Sequence, residues 1–276
     1  MEAKRTIFFV SESTTVAAET LGHSLLVHFE HIKFDPVTVP FVDTVEKADE
    51  TAAQIDADAR DKGLPPIIFS TLLNKEVRTI IMKSEGVVFD LYDAFMGRLE
   101  DALHMRSTSG ISRAHGLLDD SMYNIRIDAV NYALRNDDGV SMKDYDKADV
   151  ILIGVSRTGK TPTCLYLGLQ FGIYAANYPL TEEDLYIEYK KVPGVLQPYR
   201  DKLFGLTINP ERLQKIRSER MPDSRYSSFV QCQRELAMAE YLFVSKNIPF
   251  LNITSMSVEE IAATIMHKSR LPRRAL

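Results

Sequence analysis

KADVILIGVSRTGKTPT, residues 147–163, is the most informative segment of the chain. Val150 to Ile153 is an unbroken apolar run, the mark of a strand buried on both faces of a parallel sheet. It ends in Gly154-Val155-Ser156-Arg157-Thr158-Gly159-Lys160-Thr161, which matches the phosphate-loop pattern G-x-x-x-x-G-K-[ST]. Glycines let such a loop turn its backbone N–H groups inward around an anion. The helix that follows presents its positive N-terminal end to the same anion. All eight residues are expected to cradle nucleotide phosphates. Lys160 reaches the terminal phosphates, and the Thr161 hydroxyl holds Mg²⁺. Lys160 and Thr161 are the expected catalytic pair. Pro162 falls in the first helical turn, where a missing N–H costs nothing. The competing reading is a glycine-rich strand-to-helix turn with an exposed lysine.

Working outward, the alternation of strand and helix continues on both sides. Downstream come strands at GIYAANYPL, KLFGLTI and IPFLNIT, with helices at NPERLQKIRSER, SSFVQCQRELAMAEYLFVSKN and SVEEIAATIMHKS. Ser257 and Glu260 have capping-box spacing. Upstream, TIFFVSES opens a second series of strands, FDPVTVPFV, LPPIIFSTLL and a short one at Val87 to Phe89. The prolines of FDPVTVPFV place that strand at a sheet edge. In the helix VAAETLGHSLLVHF, Val16, Leu21, Leu25 and Val27 to Phe29 are expected to form the buried face. A charged, Ala-rich helix over 43–61 ends at Gly63. The predicted fold is α/β: a P-loop kinase-like doubly wound parallel sheet at 144–276, preceded by an N-terminal α/β domain at 1–143. The boundary follows the turn NDDG, residues 136–139, which closes the helix SMYNIRIDAVNYALR.

Composition narrows the function. Of 276 residues, 45% are apolar and 26% charged, as expected of a folded globular chain. A net charge of −5 argues against a nucleic-acid coat. No window approaches 18 apolar residues, so no membrane span is expected. The apolar run Ile7 to Val10 is too short for a signal peptide, and the expected address is the cytoplasm. Cys164 and Cys232 cannot build a disulfide framework and are expected as reduced thiols.

Several residues are candidates for supporting roles. The strand ends Asn177-Tyr178-Pro179, Thr207 to Asn209 and Asn252 to Thr254 are polar but uncharged, so no strand-end aspartate supports a magnesium ion. Glu182, Glu183 and Asp184 are the nearest acidic candidates, weighed against a solvated helix start. Arg212, Lys215, Arg217, Arg220 and Arg225 suit a lid over a transferring phosphoryl group or, equally, a solvated helix. The polar loop 106–116, with Arg106, Arg113 and His115, suits a mobile connection or a phosphate contact. Ser11, Ser13 and Thr14 suit helix capping better than anion binding. The tail HKSRLPRRAL either meets an acidic surface or frays.

Further stretches carry a resemblance. GVSRTGKTPTCLYLGLQFGIYAANYPL (154–180), KLFGLTINPERLQKIRSER (202–220), NIPFLNITSMSVEEIA (247–262), AETLGH (18–23), AHGL (114–117) and NDDG (136–139) together resemble the bacterial phosphoenolpyruvate synthase regulatory proteins. These are relatives of the regulators of pyruvate phosphate dikinase. TGKTPTCLYL is closer to the synthase branch; the bacterial dikinase branch often has Ser at the second loop glycine. The resemblance implies a bifunctional serine/threonine kinase and phosphorylase. It would use ADP to phosphorylate a threonine of the synthase, releasing AMP, and inorganic phosphate to remove that group as pyrophosphate. ADP and Mg²⁺ would lie on Gly154 to Thr161. Two positions depart from the pattern. Glu12 follows Ser11 where Asp is common, and Asn209 stands where Asp is common, so Asn209 is not expected to act as base. Pyruvate phosphate dikinase as target, an ATP-dependent small-molecule kinase and a nucleotide-sensing module are the rival functions; a homodimer is left open.

Overall fold

A computed structural model describes residues 3–107, 120–139, 144–186 and 191–274. The chain divides into two compact units, Met1–Gly116 and Leu117–Leu276.

In the first unit, strands β1 (Ala3–Ser11), β2 (Ile32–Val39), β3 (Ile67–Thr71) and β4 (Val87–Asp90) form a parallel sheet in the order β2-β1-β3-β4. β2, with Pro36, is an edge strand as predicted; Pro36 lies opposite Ile7. Alternate side chains of β1 bury on opposite faces. Phe8 and Val10 join Ile55 of helix α2 (Val45–Lys62) and Val77 and Ile81 of α3 (Lys75–Met82). Ile7, Phe9 and Phe69 take the other face with Ala18 of α1 (Val16–Leu26). The face of α1 that docks is not the predicted apolar one. Val16, Leu25, Val27 and Phe29 are exposed, and the helix docks through Ala18 and Gly22. A Cβ on Gly22 would lie 2.5 Å from the Phe9 ring, so only the smallest side chain allows this approach. Gly63 ends α2 in the left-handed conformation, φ 65°. α4 (Leu91–Leu103) completes the unit.

The second unit repeats the same order. β5 (Val150–Gly154), β6 (Ala175–Pro179), β7 (Leu203–Thr207) and β8 (Phe250–Asn252) run parallel as β6-β5-β7-β8. Every residue of β5 is buried. Helices α5 (Asp120–Arg135), α6 (Lys160–Phe171), α7 (Glu182–Tyr186), α8 (Pro210–Arg220), α9 (Phe229–Ser245) and α10 (Val258–Lys268) belong to this unit. The capping box of Ser257 and Glu260 forms at the start of α10.

The division falls earlier than the expected 143/144 boundary, because α5 packs on α6. A Cβ on Gly168 of α6 would stand 3.1 Å from the backbone of Ala129 and Val130. Tyr132 of α5 stacks on Tyr174 at 4.9 Å. The turn after α5 is therefore internal to the second unit. The tail is docked as far as it is described: Arg274 donates to Asp149 at 2.5 Å. Among the described residues, no helix is long and apolar enough to cross a membrane.

Candidate functional site

The loop 154–161 joins the most buried strand to α6. Gly154 has no room for a side chain, since a Cβ would sit 2.4 Å from the Leu206 carbonyl oxygen. Arg157 and Gly159 adopt left-handed φ values of 75° and 65°. Thr158 is buried and donates to the Val155 carbonyl at 2.9 Å. Gly159, the N-cap of α6, has no side chain to offer the first-turn N–H groups. Those donors and the helix dipole suit an anion.

Lys160 is buried, and its ammonium donates to the carbonyls of Gly154 and Val155, each at 3.0 Å. Burial lowers its pKa to about 8, partly offset by the carboxylate of Asp138. The loop thus carries a poised cation rather than the exposed lysine of the competing reading.

Thr161 donates its hydroxyl to Asp137 at 2.8 Å. Sequence reasoning missed this carboxylate. It arrives from the turn after α5, not from a strand end. Buried Asn177 of β6 holds the turn in three ways. Its N–H donates to the Asn136 carbonyl at 3.2 Å, its side-chain oxygen accepts from the Asp138 N–H at 3.0 Å, and its amide nitrogen bonds Asp137. The signal was NDDG itself, two adjacent carboxylates beside a glycine.

The Arg-rich segment serves three purposes. Arg217 is buried and locked: it pairs with Glu235 at 2.7 Å and donates to the carbonyls of Ser156 and Tyr226. The Tyr226 hydroxyl lies 3.0 Å from the Ser156 hydroxyl. Arg212 and Arg220 line the cleft above the loop, together with Arg157. None of these three has a hydrogen bond or ion pair among the described residues. Arg225 instead pairs with Glu182 at 3.4 Å. The cleft measures about 650 Å³, and Ile208, Ile216, Ile253 and Met256 supply an apolar wall.

Other candidates lie elsewhere. Glu182 accepts from Gln231, Asp184 accepts from the Thr181 N–H at the start of α7, and none of the trio lines the cleft. Asn209 donates its N–H to Thr254 and does not line the cleft. In the first unit, Ser11 accepts from the Ser13 N–H, whereas Thr15 is the N-cap of α1. Glu12 accepts from the N–H groups of Leu73 and Asn74, tying the ends of β1 and β3 together. Arg113, His115 and the AHGL stretch lie outside the described residues.

Residues 7–266 match the kinase/pyrophosphorylase family. The chain belongs to that family. Three relatives are named as candidate phosphoenolpyruvate synthase regulatory proteins. That of Alkalilimnicola ehrlichii is 52% identical over 273 residues, covering 99% of this chain and 98% of the relative. That of Stutzerimonas stutzeri is 51% identical, covering 98% and 99%. That of Pseudomonas aeruginosa PAO1 is 50% identical, covering 99% of each. Membership in the kinase/pyrophosphorylase family extends over both units, not the loop 154–161 alone.

Proposed function

We propose that the protein phosphorylates a threonine of phosphoenolpyruvate synthase with ADP, releasing AMP and inactivating the enzyme. It also removes that phosphate with orthophosphate, giving pyrophosphate and restoring the enzyme. The observation that carries this reading is the phosphate cradle around buried Lys160 in a kinase/pyrophosphorylase chain. The names of the relatives favour the synthase over pyruvate phosphate dikinase as target.

The loop amides and Lys160 hold the diphosphate of ADP. The threonine oxygen forms a bond to the β-phosphorus, the bond to the bridging oxygen breaks, and AMP leaves. In the reverse activity, orthophosphate takes the place of the departed β-phosphate. Both need positioning and charge neutralisation above all. Arg157, Arg212 and Arg220, unpaired among the described residues, bring that charge to the cleft. Thr161, oriented by Asp137, offers the hard oxygen that Mg²⁺ favours. The ion would neutralise phosphate charge there. Two free thiols, Cys164 and Cys232, suit the cytoplasm.

Purified synthase incubated with the protein and ADP labelled in its β-phosphate tests the reading. Label on a synthase threonine with AMP release is expected, followed by labelled pyrophosphate when orthophosphate is added. Label on the dikinase only, on a small metabolite, or nowhere overturns it.

A further inference from the structure

Among the described residues that line the cleft, Asp138 is the one that carries a carboxylate. Its neighbour Asp137 is committed to Thr161 and Asn177. The Asp138 side chain has no hydrogen bond or ion pair among the described residues. Its placement is nevertheless built. Asp138 and Gly139 are both left-handed, with φ values of 49° and 69°. Aspartate tolerates that conformation better than most residues, and such positions gather at functional sites. The N–H of Asp138 is held by the side-chain oxygen of buried Asn177 at 3.0 Å. A fixed backbone therefore delivers a carboxylate with no hydrogen bond among the described residues into a cleft otherwise furnished with Lys160, Arg157, Arg212 and Arg220.

A negative group is out of place where phosphates must bind, unless it has a chemical task. Its charge helps to keep the Lys160 ammonium protonated, but it also repels any phosphate bound beside it. A threonine hydroxyl attacking phosphorus has a proton to lose, and a carboxylate within reach can take it. We propose that Asp138 is the base that accepts the threonine proton in phosphorylation, and the acid that returns it in phosphorolysis.

The inference rests on the function proposed above. In phosphorylation, the threonine Oγ–H bond breaks as the oxygen–phosphorus bond forms. The proton passes to Asp138, and the electron pair of the cleaved P–O bond leaves with AMP. In phosphorolysis, an orthophosphate oxygen attacks the phosphothreonine phosphorus, and the proton of that orthophosphate reaches threonine Oγ through Asp138. Pyrophosphate departs and the hydroxyl is restored. One carboxylate closes both proton ledgers.

Asp138→Asn tests this, because asparagine also tolerates left-handed backbone and keeps the shape. The variant should lose about 10²- to 10⁴-fold in the rate of both directions. Its affinity for ADP by calorimetry, with and without Mg²⁺, should stay within about threefold of the unaltered chain, as should its melting behaviour. Asp138→Glu, which keeps a carboxylate, should recover part of the rate. An Asp138→Asn variant with more than a tenth of the normal rate in either direction overturns the assignment. So does one whose Mg²⁺-dependent ADP affinity falls as far as its rate, which would make Asp138 a binding group. So does an Asp138→Glu variant no faster than Asp138→Asn. Failure of the unaltered chain to label the synthase sinks the parent reading as well, a result distinct from an active variant.

Discussion

Nη2 of Arg217 donates to the carbonyl oxygen of Ser156 at 3.2 Å, so a helix far along the chain fixes the loop 154–161. The same nitrogen pairs with Glu235 at 2.7 Å, and both side chains are buried. Gln231 extends the network by donating to Glu235 at 2.8 Å. Removing one partner of such a pair leaves an uncompensated charge.

Arg217→Met should therefore lower stability by about 3–5 kcal/mol, measured by denaturant unfolding. Arg217→Lys keeps the charge but lacks the planar fork that reaches Glu235, Ser156 and Tyr226 together. It should fold and bind ADP about tenfold more weakly, roughly one hydrogen bond's worth of loop order. Unchanged ADP affinity in Arg217→Lys would remove Arg217 from the account of the loop.

Asp137 accepts the Thr161 hydroxyl, the group that would hold Mg²⁺ in the proposed function. Partners of this kind orient a ligand, and their loss typically costs about 10- to 100-fold in metal affinity. Asp137→Ala should lose the gain in ADP affinity that Mg²⁺ provides by that factor. Metal-free ADP binding should hardly move. Calorimetry with and without Mg²⁺ separates the two, and an equal loss in both would mean that the turn itself has collapsed.

The contrast between Lys160 and Asp137 explains what could be read from sequence. Lys160 lies in one contiguous stretch, and the role expected of it follows from spacing alone. Asp137 precedes the loop by a strand and a turn, and only pairing of β5 with β6 brings Asn177 beside it. A search for an acidic strand end passes over a carboxylate presented by an uncharged strand residue. Arg217 was hidden for another reason. Five basic residues in 14 positions look alike, and burial alone distinguishes the locked one from Arg212 and Arg220. The strands themselves and the edge position of β2 followed from apolar runs and prolines, whereas the strand order did not. The docking face of α1 did not, because small residues govern close approach while large apolar ones stay outside.

That last point is testable at Gly22. A Cβ there would meet the Phe9 ring at 2.5 Å and the Phe69 ring at 2.9 Å, both in the core of the first unit. Gly22→Ala raises helix propensity, which by itself stabilises by up to about 1 kcal/mol. Overpacking costs about 1–3 kcal/mol and opposes it. Net destabilisation in thermal or denaturant unfolding is expected. Val16→Ser, on the exposed side, should stay within about 0.5 kcal/mol of the unaltered chain. A reversed order would mean that α1 docks through its large apolar residues after all.

Under the proposed function, the buried Lys160 should give ADP binding and folding opposite responses to alkali. Its pKa of about 8, set chiefly by burial, lies below the ordinary 10.5. Below about pH 8 the ammonium is charged and attracts the diphosphate; above it the free protein has lost that charge. Bound ADP favours the charged form, so binding above pH 8 must take up a proton. Metal-free ADP affinity should fall by up to about tenfold per pH unit there. At pH 9 the calorimetric enthalpy should differ between two buffers of unlike ionisation enthalpy. For stability of the ligand-free chain the sign reverses. The unfolded chain holds the Lys160 proton more tightly than the folded one, so between pH 8 and 10.5 this group makes folding more favourable as pH rises. Lys160→Met should remove both slopes, and the comparison with it isolates them from the other titrating groups. If ADP affinity and stability moved in the same direction with pH, or the enthalpy ignored the buffer, the ammonium would not be the group that meets the phosphate.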